Sequence, residues 1–84
     1  MKIKLLYFGR PAENLKVRQE LADVPSDTAT LSDLLTGLRM RGEIWQHELS
    51  EGRIRCAINQ EFSPLTARLQ EQDEVAIFSP ISGG

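Results

Sequence analysis

Thr30-Leu31-Ser32-Asp33-Leu34-Leu35-Thr36-Gly37-Leu38-Arg39-Met40-Arg41-Gly42 decides the fold. Thr30 and Asp33 match the [ST]-x-x-[DE] capping pattern, in which the two side chains satisfy free N–H groups of a helix's first turn. Leu31, Leu34, Leu35 and Leu38 recur at i, i+3, i+4 and i+7, which predicts a helix with one apolar stripe. The stripe lasts barely two heptads, so it faces a core and is not a partner-binding zipper. Gly42, just beyond Arg41, stands where a C-terminal cap is expected. Arg39 and Arg41 then read as a solvated helix end.

The segments on either side supply what that stripe packs against. Upstream, residues 2–8 begin with polar/apolar alternation, the period of a half-buried strand. Ile3, Leu5 and Tyr7 share one face; Leu6 and Phe8 share the other. Gly9 and Pro11 end that strand, and Pro11–Leu15 fits one short helical turn. Lys16 to Leu21 is a weaker strand, with Val17, Gln19 and Leu21 on one side, and Asp23 to Asp27 reads as a loop. Downstream, Glu43 to Glu48 fits a second short turn that sets Trp45 at the core's edge. Arg53 to Ile58 is a strand, Asn59-Gln60 a tight connection, and Glu61-Phe62 a brief strand before Pro64. Glu74 to Phe78 is the last strand, with Val75 and Ile77 on one face and Ala76 and Phe78 on the other. This order predicts an α+β domain, a mixed sheet of four to five strands with one main helix packed on one face.

Composition bounds the function. At 84 residues the chain is one domain, 1–84, burying roughly two-thirds of its unfolded surface in a single core. Its formal net charge of −2 leaves no basic excess for phosphates, so nucleic acid is not an expected partner. The start of the chain reads as a strand without the apolar segment of a signal peptide, and no run approaches the ~20 apolar residues that span a bilayer. No membrane association and a cytoplasmic location are the expectations.

Catalytic constellations are missing. Cys56 is the only cysteine and alternates into a strand face, which predicts a buried, inert thiol. His47 is the only histidine, with no second imidazole to complete a metal site, so no metal is expected. Ser50, Ser63, Ser79 and Ser82 lack a GxSxG setting, and no phosphate-cradling glycine loop is present. Glu13, Glu43, Glu51, Glu71, Asp73 and Glu74 fall in loops or strand ends, where solvation accounts for them. The domain is expected to catalyse nothing alone and to bind no cofactor.

The terminus is different. Phe78-Ser79-Pro80-Ile81-Ser82-Gly83-Gly84 follows the last strand directly, so residues 79–84 read as an extended arm. A chance Gly-Gly ending has a probability of roughly 1 in 200, taking glycine at ~7%. Pro80 discourages helix, and two residues without Cβ thread a narrow channel. Gly84 then offers an uncrowded carboxylate to another protein's active site. A carboxylate is inert toward sulfur nucleophiles until adenylation by ATP supplies a leaving group, after which a sulfur donor converts it to a thiocarboxylate.

At these residues the sequence resembles the small subunits of molybdopterin synthase. Phe78, Pro80, Ile81, Ser82, Gly83 and Gly84 match that family's F-x-P-[VI]-[ST]-G-G ending. Ile58-Asn59-Gln60, Leu5-Leu6-Tyr7-Phe8-Gly9 and Asp73-Glu74-Val75-Ala76 resemble its third-strand turn, first strand and last-strand approach. Glu71-Gln72 replaces the family's usual Asp-Gly turn, and Pro11-Ala12-Glu13 replaces its Arg-Glu pair. The resemblance implies a β-grasp (ubiquitin-like) fold and a sulfur-carrier function. Gly84 is then the reacting residue, and Gly83, Ser82, Ile81 and Pro80 form its tail. It implies a separate adenylyltransferase that uses ATP, a sulfur donor, and a larger pterin-binding subunit in a heterotetramer of two small and two large chains. Parity places Leu6, Phe8, Phe78 and Ala57 opposite the helix, with Phe62 at the edge, and the resemblance implies that the larger subunit covers this face. Three readings remain beside it: a sulfur carrier for thiazole synthesis in the thiamin pathway, a ubiquitin-like protein modifier, and a β-grasp interaction domain whose terminal glycines are accidental.

Overall fold

The computed structural model describes residues 1–80. Its elements run β1 (Lys2–Tyr7), α1 (Gly9–Leu15), β2 (Gln19–Asp23), α2 (Leu31–Arg39), α3 (Glu43–Glu48), β3 (Arg55–Ile58), β4 (Glu61–Ser63) and β5 (Glu74–Phe78). The five strands form one mixed sheet in the order β2-β1-β5-β3-β4. Only β1 and β5 run parallel, pairing Leu5 with Val75 and Tyr7 with Ile77.

The capping pair and Leu stripe organise α2 as the sequence requires. Asp33 N–H donates to Thr30 Oγ1 at 3.2 Å, while Thr30 N–H donates back to Asp33 Oδ2 at 3.2 Å. Backbone N–H groups of Ala29 and Thr30 hold the Asp33 carboxyl below its ordinary range. Leu31, Leu34, Leu35 and Leu38 are all buried. They pack against Ile3, Leu5, Tyr7, Cys56, Val75 and Ile77, the inner face of the sheet. Each fully buried Leu or Ile contributes roughly 1.5–3 kcal/mol of transfer free energy, so this layer is the main source of stability.

Among the described residues three helices are present where one main helix was expected. The short turns at Pro11–Leu15 and Glu43–Glu48 are both helical, and α3 packs against α1 and α2. Gly42 does not cap α2. Met40 closes that helix, and Gly42 instead begins α3, its carbonyl accepting from Gln46 N–H at 3.0 Å. The second strand is also shifted, to Gln19–Asp23 from the expected Lys16–Leu21. Pairing of Ile3 with Ala22 and of Leu5 with Glu20 turns Glu20 and Ala22 inward. Leu21 is left 69% exposed on the outer face. Tyr7 selects this register, because its hydroxyl donates to Glu20 Oε2 at 2.7 Å.

The Asn59-Gln60 connection is a tight turn with both residues at positive φ, 50° and 72°. Such a turn matches the twist of the flanking strands, and Asn tolerates the left-handed region. Gln72 occupies a similar conformation at φ 68°, at the place where the resembled family has glycine. Among the described residues, no helix is long and apolar enough to cross a membrane.

Candidate functional site

Strand alternation sends one set of side chains away from the helices. The antiparallel partners Ala57 and Ala76, and Ala57 and Phe62, share that outer face. So do Leu6, which pairs with Ala76, and Phe78, two residues further along β5. Phe62 is 84% exposed, whereas Ala57 beneath it is buried although it lies outside the main core cluster. The rings of Phe62 and Phe78 account for that burial, since they meet at 5.8 Å over β3. Leu6 and Phe78 are half-buried. Phe8 lies one residue beyond β1, extended and 51% exposed, and its N–H continues the ladder to Ile77 O at 2.9 Å. All four expected interface residues, Leu6, Phe8, Phe62 and Phe78, therefore lie on one face. They form a contiguous apolar strip of the kind monomers seldom leave uncovered.

This strip ends where the tail begins. Ser79 and Pro80 line a cleft with Arg10, Glu48 and Arg53. Gly9, at φ +64°, makes the turn from β1 into α1, and a Cβ there would stand 3.6 Å from Ser79 Oγ. Positive φ strongly favours glycine at this corner. Ile81, Ser82, Gly83 and Gly84 lie outside the described residues.

Other sequence candidates take structural roles. Cys56 is buried among the core residues, and burial pushes its thiol up to about 11, which removes it as a nucleophile at neutral pH. His47 is exposed in the last turn of α3. No group of acidic, histidine and cysteine side chains able to hold a metal occurs among the described residues.

One group expected to be solvated, Asp73, is not, whereas Arg41 stays exposed and Arg39 is half-buried. Asp73 is buried, accepting from Asn59 Nδ2 at 2.9 Å and from Gln70 N–H at 2.7 Å. Arg41 makes a bidentate pair with Glu20, at 2.7 and 3.1 Å, and its guanidinium lies 4.7 Å from the Trp45 ring centroid. Arg39 donates Nε to Leu49 O at 2.9 Å. Spacing along the chain carried no signal for the contacts of Asp73 with Asn59, Arg41 with Glu20 and Arg39 with Leu49, whose partners lie ten or more residues away.

Sequence and structure comparisons give a consistent result. The model of the ThiS family matches residues 5–84, which takes in the Gly-Gly ending. The chain is 30% identical to the molybdopterin synthase sulfur carrier subunit of Haemophilus influenzae, across 98% of this chain and 99% of that one. It is 34% identical to the human protein of the same name, across 99% and 94%. Among solved structures, SAMP1 from Haloferax volcanii superposes with a TM-score of 0.81 at 27% identity, covering all of both chains. A chain in the protein–protein complex of subunits 1 and 2 of the molybdopterin-converting factor from Helicobacter pylori gives 0.66 at 20% identity, again covering all of both chains. These likenesses match the β-grasp architecture that the resemblance implied.

Proposed function

The chain belongs to the ThiS family, and we propose that it is the sulfur-carrier subunit of a molybdopterin synthase, working through the Gly84 carboxylate. The observation that carries this reading is an apolar outer face leading to the root of a Gly83-Gly84 tail.

The chemistry follows from what a terminal carboxylate lacks. Its oxygen attacks the α-phosphate of ATP in an adenylating partner, pyrophosphate leaves, and Gly84 becomes an acyl adenylate. A sulfide-level nucleophile displaces AMP and leaves a thiocarboxylate. Delivered into a larger pterin-binding subunit, that sulfur attacks a cyclic pyranopterin, and two deliveries build the dithiolene. ATP is used by the partner, so the carrier needs no bound cofactor. The cytoplasm, where ATP is available, is the proposed setting, and a heterotetramer of two small and two large subunits the proposed assembly.

Leu6, Phe8, Phe62 and Phe78 are the proposed docking face for the larger subunit. The Helicobacter complex, a subunit pair, supports the existence of such a partner. The likeness to SAMP1, a small archaeal modifier protein, keeps the protein-modifier reading in view, which begins with the same acyl adenylate.

Incubation with ATP, magnesium, the cognate adenylating enzyme and a sulfide source tests the carrier step. Intact-mass and C-terminal peptide analysis should place one oxygen-to-sulfur exchange on Gly84. An unchanged mass with a competent partner would refute the reading, and lysine isopeptides with a Gly84 end would favour the modifier. Native co-purification of a thiazole-forming enzyme would assign the thiamin pathway instead.

A further inference from the structure

The outer face of the sheet is electrically uneven. By parity its charged residues are Lys2, Lys4, Asp23, Glu74 and Arg55. Lys2 pairs with Asp23 at 3.3 Å and Lys4 with Glu74 at 3.9 Å, so the end remote from the tail is locally neutral. Arg55 sits opposite Phe78 at the tail end, exposed, and its only hydrogen bond among the described residues is Nη1 to Ile54 O at 3.0 Å. Arg10 and Arg53, also exposed, line the cleft beside Ser79 and Pro80. None of the three arginines has a carboxylate within 4.0 Å among the described residues. Glu48 shares the cleft, with its Oε2 held by Asn14 Nδ2 at 2.8 Å. Within the cleft one partnered carboxylate thus lies with Arg10 and Arg53, and Arg55 stands opposite Phe78 on the sheet, none of the three paired with a carboxylate among the described residues, in a chain whose overall charge is −2.

We infer that Arg10, Arg53 and Arg55 form an orientation site that recognises a carboxylate-bearing segment of the pterin-binding large subunit that receives the tail. The inference rests on the carrier reading and extends it. An apolar strip with neutral ion pairs at one end fixes no direction of docking by itself. A cationic corner at the other end admits one polarity, the one that points residues after Pro80 into the partner. Charges at the rim of an interface act chiefly on association rate and register. Guanidinium groups suit the task because they stay charged and match carboxylates with a planar fork of donors.

The test is stopped-flow association of the intact carrier with the purified pterin-binding large subunit. Salt is raised from about 0.01 M to about 0.15 M, over which the Debye length falls from ~30 to ~8 Å. The triple variant Arg10→Ala/Arg53→Ala/Arg55→Ala should associate on the order of 10-fold more slowly at low salt and approach the wild-type rate at high salt. Arg68→Ala, a charge lost beside the start of α2, should leave the rate within about twofold. A triple variant that associates at the wild-type rate at low salt would overturn the inference while leaving the carrier reading intact. A wild-type carrier that does not bind the large subunit at all would instead overturn that reading.

Discussion

Phe62 on β4 and Phe78 on β5 meet over the intervening strand β3, ring centroids 5.8 Å apart and planes inclined at 59°. Between them they roof Ala57, which is 7% exposed on the face that has no helix. The pair presents a rigid aromatic ridge a few residues before the tail. Buried aromatics are typical interface hot spots, so Phe78→Ala should cost about 2 kcal/mol or more in binding the large subunit. That is ~30-fold or more in affinity. Phe62→Ala should weaken binding as well, and the double variant should lose less than the sum, because the rings are coupled. Calorimetry on separated subunits measures this, with circular dichroism to confirm folding. Unchanged affinity for both single variants would place the partner elsewhere.

Tyr7 is a second point of leverage, this time on stability. Its hydroxyl is buried and donates to the Glu20 carboxylate, which Arg41 grips from the other side. Burial, then the hydrogen bond and charge of Glu20, push the Tyr7 phenol far above its ordinary value of 10.0. Burial alone would raise the Glu20 carboxyl, but hydrogen bonds from Arg41 and Tyr7 outweigh it and the net shift is downward from 4.5. The signs are opposite. Glu20 contributes stability that is present above pH ~4.5 and is lost as pH falls through its depressed value. Tyr7 contributes stability that is present below pH ~10 and is lost as pH rises past it. Tyr7→Phe should cost roughly 1.5–3 kcal/mol at neutral pH, the range for a hydrogen bond to a charged group. Urea melts from pH 3 to 11 should show both slopes in the wild type, with the alkaline one reduced in the variant.

These contacts mark the boundary of what the sequence discloses. Periodicity identified β1, β3, β5 and the main helix, because period 2 and period 3.6 are written locally in Ile3-Lys4-Leu5 and in Leu31 to Leu38. Parity then placed Leu6, Phe8 and Phe78 on one face without coordinates. The β2 register was not legible, since Val17, Gln19 and Leu21 imitate an apolar side. What turns Glu20 inward is a hydrogen bond to a residue 13 positions earlier. The same reason hid Asp73, whose partner Asn59 lies 14 residues away and ties the β3–β4 turn to the start of β5. Gly42 was misread because a glycine after one helix and before the next has the same local signature. The tail's meaning came from composition and resemblance alone.

Cys56 offers an independent check on the core. Its thiol is 2% exposed, and burial raises it from 9.0 to about 11. The folded state therefore holds this proton more tightly than the unfolded chain between those values. Stability is complete below pH ~9 and declines as pH rises through about 11, on the order of 3 kcal/mol in all. Cys56→Ala should flatten that part of the alkaline slope and leave sulfur delivery intact. The wild-type thiol should react with an aromatic disulfide reagent only at the rate of unfolding. Fast labelling of the native protein would contradict the packing described for β3.

The tail variants separate a terminal-carboxylate mechanism from any other use of this surface. Ser79 and Pro80 line a cleft with Arg10 and Pro11 of α1, and Ser79 lies beside Gly9, which sets where the arm starts. From that anchor four residues, Ile81 to Gly84, set where the reacting carbon falls. One added residue moves it by roughly 3.5 Å, the advance of an extended chain. A reacting geometry tolerates about an ångström before rates drop ~100-fold. Adding one residue after Gly84, or deleting Gly84, should therefore abolish sulfur delivery. Binding of the large subunit should stay within a few-fold, because Phe62, Phe78 and Ala57 are untouched. Gly83→Val should fail too, since a branched Cβ crowds a channel shaped for glycine. Single-turnover conversion of the pterin precursor, measured beside calorimetric affinity for the same variants, separates chemistry from docking. A lengthened carrier that still delivers sulfur at the wild-type rate would rule out Gly84 as the carrier atom's anchor.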